Sequence, residues 1–258
     1  MKKTHERIRH ISFVFSMCLF LFNILSCGID SITVIDEPVN TRHTPLYSNT
    51  DYAEAYFEFW TNEVNAGNYG DCHFLGTEVY YKIYTDASSM NSEKNNLVST
   101  ANSDTSSATA PTKMIDSYGY RALKVTNQVK NTLIPSTGKN QRVYIRLTDY
   151  QNIPDFAARI VLDGESNLTG TDQVNVPIRN NNSDVLSFNF GRSSANSELN
   201  KVPVEGDLDV KFSSSTTDGK WYVVLFAVGV GQDNTYTKMY SNILYLGDVT
   251  IDSNSFDN

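Results

Sequence analysis

A cysteine next to a histidine is the clearest catalytic pairing that this chain offers. Cys72 and His73 follow Asp71 in the sequence GDCHF. A thiolate activated by an imidazole base is a nucleophile that hydrolases use. Neighbouring residues on an extended segment point in opposite directions, so these two side chains are not expected to face each other. We interpret Cys72 as a buried cysteine beside a solvated histidine, with an envelope hydrolase near these residues as the alternative.

Carboxylates close to glycines are the second group that could do chemistry, because calcium binds several oxygens on a tight loop. Such residues occur at 163–165 (DGE) and at 205–209 (EGDLD). Neither spacing is that of an EF-hand loop, and we interpret both as solvated turns. Two histidines and one free cysteine after Cys27 are too few for a closed zinc shell. The sequence therefore predicts no metal site, no cofactor and no catalytic residue.

Cys27 ends an N-terminal segment that has three parts. Four basic residues lie within the first ten positions, an apolar stretch of 15 residues runs from 11 to 25, and the small Ser26 follows. This combination is typical of a secretory signal peptide. The apolar stretch is shorter than the roughly 20 residues that a membrane-spanning helix needs. Cys18 is a weaker candidate for processing, because the bulky Met17 precedes it.

The sequence ILSC at 24–27 resembles a bacterial lipobox, and its loose form resembles those of spirochaete lipoproteins. The resemblance covers only the first 27 residues. It implies a lipoprotein signal peptide at 1–26 and an acylated Cys27, carrying diacylglycerol and a further chain such as palmitate. The implied partner is the membrane, reached through the acyl chains, and the implied location is the cell envelope, at the outer membrane or cell surface. The alternative is a secreted protein without a lipid.

The charge of the chain limits its partners. Cleavage before Cys27 removes four basic side chains and one acidic side chain from a chain of net charge −8, which leaves −11. Nucleic-acid binding requires clustered Lys and Arg, so an acidic chain of this kind predicts no nucleic-acid partner. If Cys27 is acylated, Cys72 has no disulfide partner within the chain, and stability must come from the core.

The remaining chain is rich in short strand signals. Residues 27–54 carry an apolar burst at 32–35 and then prolines and small polar residues, which predict a lipidated tether. Residues 55–258 predict one large all-β domain, a β-sandwich, because period-two alternation recurs between turn clusters. Within it, residues 86–113 are nearly all small and polar, which predicts an exposed excursion with a short helix around 93–101. The apolar stretch 221–231 predicts a central strand, and 240–251 the last strand.

Parts of this domain resemble a fibronectin type III or Ig-like module. FEFWTNE (57–63) resembles its B strand with Trp60 in the core, and GTEVYYKIY (76–84) resembles its C strand. Residues 222–231 and 240–247 resemble its F and G strands, with Tyr222 as the aromatic corner. More than 100 residues separate the third strand from these later strands, so we expect a module enlarged by a long insertion. The resemblance implies binding or spacing, not catalysis. Together with the acylated Cys27, it predicts an envelope lipoprotein that acts as a binding or structural module for protein or glycan.

Overall fold

The computed structural model describes residues 34–45, 52–63, 72–103, 109–126, 128, 131–150, 154–163, 175–182, 184–192, 197–214 and 219–252. The chain separates into two compact units, 1–32 and 33–258. The first unit, which contains the predicted signal peptide and Cys27, lies outside the described residues. None of the described helices combines the length and the apolar content needed to span a bilayer.

Strands dominate the described part of the chain, and they are numbered here in chain order. They are β1 (Val39–His43), β2 (Phe57–Trp60), β3 (His73–Tyr84), β4 (Arg121–Ala122), β5 (Lys124–Val125), β6 (Ile134–Pro135), β7 (Arg142–Arg146), β8 (Arg159–Leu162), β9 (Pro177–Asn181), β10 (Asp184–Leu186), β11 (Val210–Lys211), β12 (Lys220–Gln232) and β13 (Lys238–Asp252). The helices are α1 (Ala87–Ser103) and α2 (Thr109–Thr112), followed by a π-helical turn (Lys113–Ser117) and by 3₁₀ turns at Tyr52–Glu54, Pro154–Phe156 and Ser197–Leu199.

The strands form three sheets. Sheet A has the order β1-β2-β7-β8 and is antiparallel throughout. Sheet B has β12 between β3 and β13, while the other edge of β3 bears the short strands β6, β4 and β11. The third sheet has the order β10-β9-β5. Only β11 runs parallel to its partner among the described pairs, and the prediction of an all-β protein is confirmed at this level.

The main core lies between sheet A and one face of sheet B. Alternate residues of the long strands point into it, as the period-two pattern predicts. From sheet A come Phe57 and Phe59, and from sheet B come Tyr81 and Leu225, all at most 1% exposed. β12 is central in sheet B and β13 is the last strand, as predicted.

The opposite face of sheet B is also covered, which the composition did not predict. Helix α1 spans 17 residues and buries Met90 and Leu97 against Tyr84 and Phe226. Asp86 caps its N-terminus by accepting a hydrogen bond from the backbone N–H of Ser89. The short helix predicted around 93–101 lies within α1, and two well-spaced apolar side chains suffice to attach this polar helix to an apolar sheet.

Residues 34–45 belong to the domain and not to the tether predicted over 27–54. β1 pairs with β2, and Ile35 is buried against β12. A Cβ atom on Gly229 would lie 3.0 Å from Ile35 Cγ2, and one on Gly231 would lie 2.8 Å from Ile35 Cδ1. The two glycines thus form a notch that receives this side chain.

The structure agrees with the fibronectin-like prediction in the adjacency of some strands and differs from it in the position of Trp60. β3, β12 and β13 are neighbours in one sheet, and β2 lies in the other, as the C, F, G and B strands would. Trp60, however, is not in the core, because its ring lies on the outer face of sheet A beneath the Arg42 guanidinium, 5.8 Å away. Tyr222 packs, partly buried, against the helix-covered face of sheet B.

Candidate functional site

Cys72 and His73 have different environments. Cys72 is 7% exposed and packs with Ile35 and Phe74, whereas His73 is exposed at the start of β3. Burial raises the pKa of the Cys72 thiol, which favours the protonated form. The interpretation of Cys72 as a buried packing residue and of His73 as a solvated side chain therefore agrees with their surroundings.

Asp207 and Asp209 of the EGDLD sequence are not solvated turn residues, as the sequence interpretation had them, whereas Glu205 is an exposed turn residue. Asp209 is 0% exposed and accepts hydrogen bonds from Arg179 Nε at 2.9 Å and Arg179 Nη2 at 2.7 Å. Asp207 accepts a third bond from Arg179 Nη2 at 2.6 Å. Burial opposes ionisation of Asp207, but the hydrogen bond from Arg179 outweighs it and lowers the pKa of this carboxyl.

Two further side chains join this buried network. Tyr81 donates a hydrogen bond to Asp209 Oδ2 at 2.6 Å, and Asn181 donates one to Asp207 Oδ1 at 2.9 Å. The network connects β3, β9 and the segment before β11, so its arrangement is structural. Among the described residues, no cluster of His, Cys, Asp and Glu has a geometry that could hold a metal ion. Asp163 lies at the end of β8, and Glu165 is outside the described residues.

A second ionic cluster attaches α1 to sheet B. Lys82 contacts Glu93 at 3.0 Å, and Tyr84 donates to the same carboxylate at 2.8 Å. Burial lowers the pKa of Lys82. Burial opposes ionisation of Glu93 as well, but hydrogen bonds led by that from Lys82 lower its pKa. The Lys82 ammonium and the Glu93 carboxylate therefore each lie beside a group of opposite charge.

The outer face of sheet A is different, because it is open and rich in arginine. We call this surface the arginine face. It is formed by Arg42, His43, Tyr56, Glu58, Trp60, Arg142, Tyr144, Arg146, Arg159 and Val161. It carries four of the nine arginines of an acidic chain.

The pairing of β1 brings two adjacent residues onto this face. Regular alternation would send Arg42 and His43 to opposite sides of the sheet. The β1–β2 register is irregular between Val39 and His43, and Asn40 has φ 53°. As a result Arg42 reaches Trp60 while His43 stacks on Tyr56, with ring centroids 3.9 Å apart.

The aromatic rings of the arginine face form a continuous stack. Tyr56 lies between His43 and Tyr144, and its centroid is 4.7 Å from that of Tyr144. The guanidinium carbons of Arg146 and Arg159 each lie 5.7 Å from the Tyr144 ring. Burial raises the pKa of Tyr144, although both guanidinium groups act in the opposite direction. The ring faces of this stack are thus largely occupied by other rings and by cations.

Arg146 and Arg159 are an uncompensated pair of charges. They are direct cross-strand partners in the β7–β8 register. Both guanidinium groups donate to the carbonyl oxygen of Asp155, at 2.7 Å and 3.2 Å, and Arg146 also donates to the carbonyl oxygen of Ala53 at 2.9 Å. The Nε atom of each is buried without a hydrogen-bond partner, and among the described residues neither has a carboxylate oxygen within 4.0 Å. Like charges directly opposite in a sheet are unfavourable.

A groove of about 430 Å³ opens on this face beside Arg159. Its lining residues are Arg142, Tyr144, Arg159, Val161, Leu162 and Asp163. At one end Arg142 is compensated, because it contacts Glu58 at 2.8 Å and also lies in the field of Asp163. At the other end Arg159 adjoins Tyr144, with its guanidinium carbon 5.7 Å from the ring centroid. The arrangement offers hydrogen-bond donors and positive charge to a ligand rich in oxygen acceptors.

Sequence reasoning missed this face. One signal for it was present in RVYIR (142–146), where Arg142, Tyr144 and Arg146 alternate with core residues and therefore share one side of a strand. The remaining residues come from three other strands, so their assembly required the sheet order. No protein-family model, curated protein or solved structure matches the chain.

Proposed function

We propose that this protein is a lipid-anchored envelope protein whose arginine face binds a glycan. The observation that carries the binding part is the half-open row of phenol hydroxyls and guanidinium groups across sheet A, with a groove beside it. Oligosaccharides expose many hydroxyl and ether oxygens, which such donors can bind on a broad, nearly flat surface. A protein partner is the competing occupant, and the binding experiment distinguishes the two.

The anchor part of the proposal rests on Cys27 and its flanking sequence. Each buried CH₂ contributes roughly 0.8 kcal/mol, so one acyl chain attaches weakly and two or more attach firmly. Residues 27–33 precede the first described residues of the domain. Because a chain extends at most about 3.6 Å per residue, this short segment limits the distance between the start of the domain and the bilayer. A domain attached in this way would lie close to the membrane surface.

Mass spectrometry of the protein from its native membranes tests the anchor. The expected N-terminus is Cys27 carrying acyl chains, and Cys27→Ala is expected to move the protein from the detergent phase to the aqueous phase. An unmodified Cys27, or cleavage at another position, would contradict the lipoprotein proposal.

Glycan-array binding by the full mature chain tests the arginine face. Tyr144→Ala is expected to lower affinity for the bound glycan about tenfold, which corresponds to about 1.4 kcal/mol. Tyr236→Ala is the matched control, because Tyr236 is 82% exposed in the turn between β12 and β13. Equal losses in both variants, or binding of envelope proteins without any glycan, would contradict the proposal.

We further propose that the domain is an enlarged fibronectin-like sandwich. The adjacency of β3, β12 and β13 and the position of β2 in the opposing sheet support it. The insertion would then comprise α1, α2 and β4 to β11, of which β7 and β8 extend sheet A. An experimental structure in which β2 and β3 join one sheet would contradict this assignment.

A further inference from the structure

We propose that the glycan bound by the arginine face is acidic, with a carboxylate or sulfate placed at the Arg159 end of the groove. This inference rests on the proposed function, and it names the ligand's chemical class and the residue that recognises it. The argument depends on charge, on unpartnered donors and on the position of the groove.

Charge compensation distinguishes the two ends of the groove. Arg142 already has the Glu58 carboxylate at 2.8 Å and Asp163 nearby, so a ligand anion adds little there. Arg159 and its cross-strand partner Arg146 donate to neutral carbonyl oxygens, both to that of Asp155 and Arg146 also to that of Ala53. An anion beside Arg159 would supply the missing negative charge and reduce the repulsion between the two guanidinium groups.

The unpartnered Nε atom of Arg159 gives a second indication of the same position, whereas Trp60 lies opposite Arg142 at the other end. Of the five buried side-chain atoms without a hydrogen-bond partner among the described residues, three belong to the arginine face: Trp60 Nε1, Arg146 Nε and Arg159 Nε. Arg146 is 3% exposed, so water compensates it poorly. Buried donors without acceptors are unfavourable, and of these three residues only Arg159 lines the groove, which favours a ligand whose oxygens approach the Arg159 guanidinium.

The neighbouring aromatic residue favours an anionic sugar over a neutral one. Neutral sugars pack their flat apolar faces against the open faces of aromatic rings in proteins. Here one face of Tyr56 is covered by His43, and Tyr144 has rings and guanidinium groups around it. The remaining groups are a phenol hydroxyl and charged donors, and such donors form their strongest hydrogen bonds with ionised oxygens.

Binding of a galacturonic acid tetramer and of its carboxyl-reduced counterpart tests the inference. The full mature chain carrying Cys27→Ala serves for all measurements, so that lipid does not interfere. We expect the acidic tetramer to bind at least about tenfold more tightly, with an affinity that decreases as salt increases. Arg159→Gln is expected to reduce this affinity to that of the neutral tetramer.

Arg121→Gln is the matched control, because Arg121 is partly buried on β4, away from sheet A, and its loss changes the net charge equally. It is expected to leave the affinity unchanged. Equal affinity for both tetramers, with Tyr144→Ala still weakening each, would overturn the acidic-ligand inference and leave the proposed function intact. Absence of binding to either tetramer and to every arrayed glycan would overturn both. Arg159-dependent binding to vesicles containing phosphatidylglycerol, with no oligosaccharide binding, would also overturn both.

Discussion

Arg179 in the interior and Arg159 on the arginine face lie at nearly the same distance from an aromatic ring, 5.8 Å from Phe190 and 5.7 Å from Tyr144. Their partners differ. Arg179 donates three hydrogen bonds to two carboxylates, whereas Arg159 donates to a backbone carbonyl. The first arginine is neutralised within the fold and serves stability. The second retains a positive charge that a ligand could neutralise, so the same residue type has a structural role in one region and a binding role in the other.

The same contrast separates the two sheets. Sheet B is covered on both faces, and its buried charges have partners. The outer face of sheet A is covered only at its Arg146 end, by the turns at Tyr52–Glu54 and Pro154–Phe156, and its arginines are incompletely paired. Three substitutions and one pH titration test this difference between the paired charges of sheet B and the arginines of sheet A.

The largest effect is expected from removing the interior carboxylate. Asp209→Ala should lower the free energy of unfolding by about 3–5 kcal/mol, because it leaves Arg179 buried with too little negative charge beside it. Denaturant unfolding measures this loss. Asp184→Ala, at an exposed position on β10, should change stability by less than about 0.5 kcal/mol. A loss below about 1 kcal/mol for Asp209→Ala would show that the network is not structural.

The next effect concerns the helix that covers sheet B. Leu97→Ala should cost about 2–5 kcal/mol, because Leu97 is 0% exposed and its truncation leaves a cavity against the sheet. Asn95→Ala, exposed on the same helix, should be neutral within about 0.5 kcal/mol. Similar small effects from both variants would mean that α1 is peripheral and that sheet B, like sheet A, has an open face.

Acidification should weaken the interior network. The folded-state pKa of Asp207 lies below its unfolded value of 3.8, so its contribution to stability is present above about pH 4 and is lost as the pH falls through the folded value. Unfolding measured between pH 2 and pH 7 should show this loss. Asp207→Asn should flatten the acid limb of the curve, and an unchanged limb would argue against the ion pair.

The smallest effect on stability is expected on the arginine face. Arg159→Gln should leave the free energy of unfolding unchanged or raise it by up to about 0.5 kcal/mol, because it removes one of two opposed positive charges. Thermal and denaturant unfolding measure this. A loss of more than about 1.5 kcal/mol would mean that Arg159 is a structural residue like Arg179.

Alternation made much of the sandwich predictable, because a strand with one face in the core repeats every two residues. The segments around Val79 to Ile83, the central strand at 221–231 and the last strand at 240–251 all form where the pattern placed them. β1 was missed, since VNTRH has a single apolar residue and forms a strand only by pairing with β2. Helix α1 was largely missed because it buries only Met90 and Leu97.

The sequence by itself determined the all-β class, the main strands and the prediction of an acylated Cys27, because these depend on local residue order. Tertiary structure alone decided which charges are neutralised. Asp209 has the local sequence of a turn but is buried, since Arg179 reaches it from a strand 30 residues away in the chain. Arg146 and Arg159 became a pair through the β7–β8 register, which no local pattern encodes. Electrostatic environment depends on neighbours in space, and for these residues the neighbours come from separate strands.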